Sequence, residues 1–223
     1  MPTMPMSRLI ETLSSQVSSR SRQMKFQQFL NLTDPQPEES ILDIGVNTEE
    51  YSAADNYLEK HDDHPERITA VGLEEGAIFR KRYPKVTYLK VTADQPLPFQ
   101  DNAFDIVYSN AVIEHVGSDQ AQLRFLREMY RVGQRGYLTT PNRYFPIEPH
   151  TRVPLLHILL PKQAFDRFLI WIGKSWATGD YMHPLSESHI RSLCAEADIR
   201  HITLIRNRFC GLTLTFTLLW NKN

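Results

Sequence analysis

An α/β domain built on a mostly parallel sheet, with helices on both faces, is what this sequence predicts. Three observations predict it. Short apolar runs alternate with amphipathic stretches from residue 41 onward, the rhythm of strand and crossover helix. The runs are apolar throughout, as strands are when both faces of their sheet are covered. The last two runs, IRHITLI and LTLTFTLLW, are joined only by a short NRFCG link. That link is too short for a helical crossover, so the last strand pairs antiparallel.

The elements follow in order. ILDIG at 41–45 is the first strand. TEEYSAADNYLEK reads as a helix, with Thr48 as N-cap and acids in its first turn. ITAVG at 68–72 is the second strand, and EEGAIFRKRY a helix stopped by Pro84. VTYLKV at 86–91 and FDIVYSN at 104–110 are the third and fourth strands. A helix over 119–132 places Leu123, Leu126, Met129 and Tyr130 on one face. GYLTT at 136–140 is the fifth strand, ended by Pro141, and Ser186 caps a helix running to about Ala197 before the closing strand pair. The sum is a single Rossmann-like domain with a seven-stranded sheet. Upstream, residues 8–31 allow one or two amphipathic helices, and DPQPEES then breaks the pattern. Residues 1–40 therefore read as an N-terminal helical cap and 41–223 as the main domain. Residues 142–185 do not fit the alternation. They read as an insertion at the carboxyl end of a strand, over the ligand crevice, acting as a lid or substrate-binding segment.

Composition excludes several classes. The net charge is -1, which supplies no basic field for nucleic acid. Cys194 and Cys210 make neither a disulfide framework nor a metal cluster. They read as buried thiols in a reducing compartment, hence a cytoplasmic protein. MPTMPMSRLIETLSSQ lacks the apolar core of a signal peptide, and the most apolar segment, VPLLHILLPKQAFDRFLIWIG, is interrupted by polar residues. No membrane span is expected. Its apolar side chains are either ordinary core at the sheet edge or a lid or membrane-surface helix, so peripheral membrane contact stays open.

Ligands of such sheets bind beyond the carboxyl ends of the strands. After the first strand stand Asp43, Gly45, Val46 and Asn47. The absence of GxGxxG argues against a diphosphate. Asp43 either holds an ammonium group of a ligand or caps the following turn. After the second strand, Gly72 fills the usual place of a ribose-binding acid, with Leu73 and Glu74 beyond it. Asp94 after the third strand accepts from an exocyclic amine or shapes the turn before two prolines. HDDHPE at 61–66 suggests a metal by composition, but lies away from the crevice and reads as a solvated loop; no metal is expected.

The sharpest local signal is LPFQDNAFDIVYSNAVIEHV. It resembles the class I S-adenosylmethionine-dependent methyltransferases of the type 11 branch, whose pattern there is close to LPFxDxxFDxVxxxxxxEHV. The resemblance runs from about Ile41 to Asn142. It implies S-adenosylmethionine as cofactor and S-adenosylhomocysteine as product. Asp43 and Gly45 match the cofactor loop, while Val46, Asn47 and Gly72 depart from it. Asn56, Leu73, Glu74 and Asp94 join the cofactor set, and Ser109, Asn110 and Ala111 match the loop beside the methionine end.

Methyl transfer from a sulfonium needs acceptor and methyl held close and in line. A hydroxyl acceptor also needs a base near neutral pH. His115 and His150 are the two candidates, with Glu114 and Glu148 beside them. Asn142, Arg143 and Glu148 in NRYFPIEPH are candidates for gripping the acceptor. The expectation is an O-methyltransferase acting on a small-molecule or glycosyl/lipid-linked acceptor. The alternative is a catalytically inactive binding module that keeps the fold.

Overall fold

The computed structural model describes residues 6–52, 54–147, 151, 153–179 and 182–222, with only the backbone for 6–18. The chain divides into two compact units, Met1–Lys90 and Val91–Asn223.

The first unit opens with one continuous helix, α1 (Met6–Thr33). It buries Phe26 and Phe29, and the Thr33 hydroxyl donates back to the Phe29 carbonyl at 2.8 Å. Three parallel strands follow: β1 (Ile41–Ile44), β2 (Ile68–Gly72) and β3 (Thr87–Lys90). Ile41 stands opposite Ile68, and Thr69 opposite Thr87. All four residues of β1 are buried, as predicted for a strand covered on both faces. The short helix α3 (Ala77–Arg82) crosses back from β2 to β3.

One predicted helix is largely absent. The described residues between Thr48 and Asn56 form no helix, and of the predicted span α2 (Tyr57–His61) is helical. Short polar side chains take the local backbone groups that a helix would use. The Asp55 carboxylate accepts from the amides of Tyr51 and Ser52 at 2.9 and 3.1 Å. Asn56 adopts a left-handed conformation, φ 48°, which breaks any helix running through it. The HDDHPE segment is a structural turn: Asp62 is buried and bonded by Arg67 at 2.7 Å.

The second unit holds β4 (Phe104–Asn110) and β5 (Gly133–Pro141), which are parallel. β7 (Leu212–Asn221) lies antiparallel to β5 and to β6 (Thr203–Phe209). The overall strand order is β3-β2-β1-β4-β5-β7-β6, mostly parallel with only β7 reversed. Helix α4 (Asp119–Val132) joins β4 to β5. It starts on Ser118, whose hydroxyl accepts from the Ala121 amide, and buries Leu123, Leu126 and Met129. Helix α7 (Glu187–Glu196) starts on Ser186 as predicted, its hydroxyl accepting from the His189 amide. Cys194 is buried, but Cys210 is exposed, contrary to expectation, because it forms the β6–β7 turn with Gly211 at φ 49°.

Between β5 and α7 lie two further helices, α5 (Leu156–Leu159) and α6 (Lys162–Trp171). Of their apolar side chains Leu169 is fully buried, while Leu159 and Trp171 are 69% and 81% exposed. The segment is thus partly packed and partly exposed. No described helix is long and apolar enough to cross a membrane.

The β5–β7 pair depends on a missing side chain. The Trp220 indole lies over Gly136, where an added Cβ would stand 2.0 Å from a ring carbon. Gly136→Ala is expected to destabilise the second unit by roughly 1–3 kcal/mol through overpacking. Urea unfolding checks this, and a stability equal to the parent would show that the indole has room to move.

Candidate functional site

In the first unit, β1 ends at Gly45, whose φ of 96° suits a residue without a side chain. Its amide donates to the Val71 carbonyl at 2.9 Å, tying the turn to β2. Val46 points inward and is buried, so its bulk is absorbed by the core rather than projecting from the turn.

The loop beyond is clamped by Asn56. Its side-chain oxygen accepts from the Asn47 amide at 2.9 Å, and its nitrogen donates to the Asn47 carbonyl at 2.7 Å. The same nitrogen reaches Glu50 at 3.2 Å. Asn56 therefore acts on the loop backbone. Thr48 is buried and donates its hydroxyl to the Glu74 carboxylate at 2.9 Å, while Leu73 is exposed. Glu50 is a hub for Lys60 at 3.1 Å, the Arg82 guanidinium and the Tyr83 hydroxyl. Partial burial alone would raise the Glu50 carboxyl, but the Tyr83 and Lys60 hydrogen bonds, with Arg82, hold it below its ordinary value.

The glycine that replaces the expected ribose-binding acid has a physical cause. A Cβ on Gly72 would stand 2.9 Å from the Tyr88 hydroxyl oxygen and 3.2 Å from the Val46 carbonyl oxygen. The same Tyr88 ring crosses Gly76, where a Cβ would meet ring carbons at 2.2 Å. Tyr88 donates to the Glu74 carbonyl at 2.6 Å, packs on Phe79 and lies under the Arg80 guanidinium.

Beneath the β1 turn, Asp43 is buried beside Glu59 of α2. Neither Glu59 oxygen has a hydrogen-bonded donor among the described residues. Burial pushes both carboxyls up, Glu59 to about 7 and Asp43 well above the usual range, with the charge of Glu59 adding to Asp43 and Arg22 of α1 opposing.

In the second unit, Ser109 is buried and Asn110 accepts from the Thr139 hydroxyl at 2.5 Å. Ala111 takes a left-handed φ of 60°, its amide held by the Thr139 carbonyl at 2.9 Å. A non-glycine residue there carries backbone strain. Asp94 is exposed and paired with Arg124 at 2.7 Å. Glu114 and His115 part company. Glu114 is fully buried and accepts from the Thr140 hydroxyl at 3.0 Å, whereas His115 is exposed on a one-turn 3-10 helix, Ile113–His115. Gln122 of α4 is buried with them and donates to the carbonyls of Ile113 and His183. Asn142 uses its amide on the Thr213 carbonyl and on the Tyr144 amide, leaving Arg143 exposed beside it. Glu148 and His150 lie outside the described residues.

Sequence reasoning missed Glu59, Tyr88 and Gln122. Glu59 sits in NYLEK like any helical surface acid, and only its burial distinguishes it. The adjacency of Gly72 and Gly76 was a usable sign that something bulky crosses the β2 end.

A mostly parallel sheet in this order, with β7 alone reversed, defines the class I, Rossmann-like methyltransferase fold. Residues 42–139 match the family model described as a methyltransferase domain. The match covers under half of the chain, and over that segment the chain resembles this family. Solved structures agree on the fold. A possible histamine N-methyltransferase from Thermotoga maritima is 17% identical, with 96% of each chain covered and a TM-score of 0.57. An S-adenosylmethionine-dependent methyltransferase from Methanosarcina mazei is 17% identical over 83% of this chain and 92% of its own, with a TM-score of 0.53. A putative sarcosine dimethylglycine methyltransferase from Galdieria sulphuraria is 16% identical over 84% of this chain and 61% of its own, with a TM-score of 0.52. No curated protein matches the sequence.

Two outcomes follow. Gly72→Asp, which puts an acid where the family usually has one, is expected to destabilise the protein and not to tighten S-adenosylmethionine binding, because Tyr88 and the Val46 carbonyl occupy that space. Calorimetric titration showing tighter binding would contradict this. The second concerns pH. Both buried carboxyls are raised above their unfolded values, so the folded chain holds more protons than the unfolded chain between those values. Their contribution is fully present below the ordinary carboxylate range and is lost as pH rises, for Glu59 through about 7. The melting temperature of the free protein should therefore fall as pH rises from the ordinary carboxylate range to about 7, and Glu59→Gln should flatten that fall.

Proposed function

We propose that the protein methylates a hydroxyl group of a small-molecule acceptor, glycosyl or lipid-linked, by in-line displacement with a histidine as base. The observation that carries this reading is the exposed His115 on its 3-10 turn directly after β4. Its backbone is held from beneath by buried Glu114, Thr140 and Gln122. An exposed imidazole on a rigid support suits a base that must reach a bound hydroxyl. His150 is the second candidate. Arg143 is the candidate for an anionic group on the acceptor, because Asn142 is committed to β7. The exposed Leu159 and Trp171 favour an acceptor with an apolar portion.

On the cofactor side, Asp43 at the end of β1 is the acid proposed to face the cofactor's positive charge. The Gly45–Asn47 turn is proposed to supply backbone contacts. The net charge of -1 speaks against a nucleic-acid acceptor, and the free cysteines suit a cytoplasmic, reducing environment.

Two of the similar structures are a possible histamine N-methyltransferase and a putative sarcosine dimethylglycine methyltransferase. A screen should therefore run amines beside sugars, lipids and phenols, with S-adenosylhomocysteine formation as readout. Against the acceptor so found, His115→Ala or His150→Ala is expected to lower turnover roughly a hundredfold or more while cofactor binding is kept. Asp43→Ala should do the reverse, weakening cofactor binding first. If both histidine variants turn over normally, the base assignment is wrong. Transfer to amines alone would overturn the hydroxyl reading.

A further inference from the structure

Glu59 has no part in the chemistry described so far, yet it is a buried acid. It is 5% exposed, and neither of its oxygens has a hydrogen-bonded donor among the described residues. An ionised carboxylate so placed would be strongly destabilising. The group beside it is Asp43, itself buried. Two carboxylates are both acceptors, and one can bond the other only when one of them holds a proton.

The surrounding charges do not change this. Lys60, next to Glu59 on α2, bonds Glu50 at 3.1 Å and the Asp55 carbonyl at 2.6 Å. Arg82 and Tyr83, from α3 and its end, also converge on Glu50. Glu50 adds a negative charge to the surroundings of Glu59. Arg22 of α1 is the cation that bears on Asp43. Lys60 bears on Glu59 and Arg22 on Asp43, but no described donor bonds either Glu59 oxygen.

We propose that Glu59 is a positioning residue for Asp43: the two share a proton in the free protein, and binding of the cationic cofactor at the β1 turn expels that proton to solvent. The balance is simple. One O–H bond of the pair breaks, the proton passes to buffer, and the cofactor's charge takes its place. The shared proton fixes the Asp43 side chain before the cofactor arrives, and its loss turns Asp43 into a full counter-charge. The inference rests on the reading above that Asp43 faces the cofactor.

The test is calorimetric titration of the full chain with S-adenosylmethionine and with S-adenosylhomocysteine. It is run at about pH 6 and about pH 8, in two buffers of different ionisation enthalpy. The expected result at the lower pH is a heat that differs between buffers by the equivalent of up to about one released proton. Affinity should rise with pH, by up to about tenfold per unit below the pair's titration range. Glu59→Gln keeps the shape, donates to Asp43 from its amide and removes the shared proton, so buffer and pH dependence should both collapse while binding persists. A loosened structure alone would weaken binding without removing proton release. Wild-type binding with equal heats in both buffers overturns the inference and leaves the cofactor reading standing. So does a Glu59→Gln variant that releases the same proton. Absence of binding by either ligand overturns the cofactor reading and this inference with it.

Discussion

The clamp of Asn56 on the Asn47 peptide is the interaction on which the first unit's ligand end depends. Its two hydrogen bonds, 2.9 and 2.7 Å, hold a loop that neither glycine nor regular helix holds in place. The N–H and the C=O of Asn47 belong to consecutive peptide groups, so bonding both fixes the residue between them. Gly45 can then turn sharply on the Val71 carbonyl, and Val46 can bury its side chain. The clamp also sets the start of α2, because the left-handed Asn56 is the point at which a helix can first begin. That start places Glu59 one turn in, beneath the strand end that carries Asp43.

The same economy explains what could and could not be read from the residues. Strand periodicity and turn chemistry placed β4 and α4 at their observed bounds, and the short final link gave the antiparallel finish. These are local signals that tertiary packing reinforces. The helix expected over 48–60 failed because Asp55 and Asn56 compete for backbone groups, and composition alone does not say which side wins. Gly72 looked like a missing binding residue. It is a packing consequence of Tyr88, sixteen residues later in sequence, and contacts of that kind have no periodicity to read. The catalytic candidates were legible as residue types, but burial separated neighbours that the sequence set side by side: Glu114 turned inward and His115 outward.

In the second unit a buried polar network does for the β4 turn what the Asn56 clamp does for the β1 loop. Glu114 takes the Thr140 hydroxyl, Gln122 bridges two carbonyls, and the Glu114 carbonyl accepts from the His183 amide at 2.6 Å. The network is only partly satisfied among the described residues, since one oxygen each of Glu114 and Gln122 has no hydrogen-bond partner there, so it fixes the turn at some cost. Strain at Ala111, held by the Thr139 carbonyl, sits beside the network. Strain of this sort persists where surrounding bonds over-determine the backbone. The support therefore belongs to the turn, and the exposed His115 benefits from it.

The two ends of the structure make different use of buried acids. Glu114 is given a hydroxyl donor on one oxygen and none among the described residues on the other, so it is held in place at a cost. Glu59 is given another carboxyl, so its burial is tolerable only with a proton in place. An acid kept in the second way is a poor structural element, since hydrophobic packing of the same volume would be at least as stable. What it offers instead is a charge that can be switched on when a cation arrives, without rearranging the backbone that Asn56 holds. The arrangement is thus costly for stability and economical for binding a positively charged ligand, which is the trade expected at a cofactor site rather than in a core.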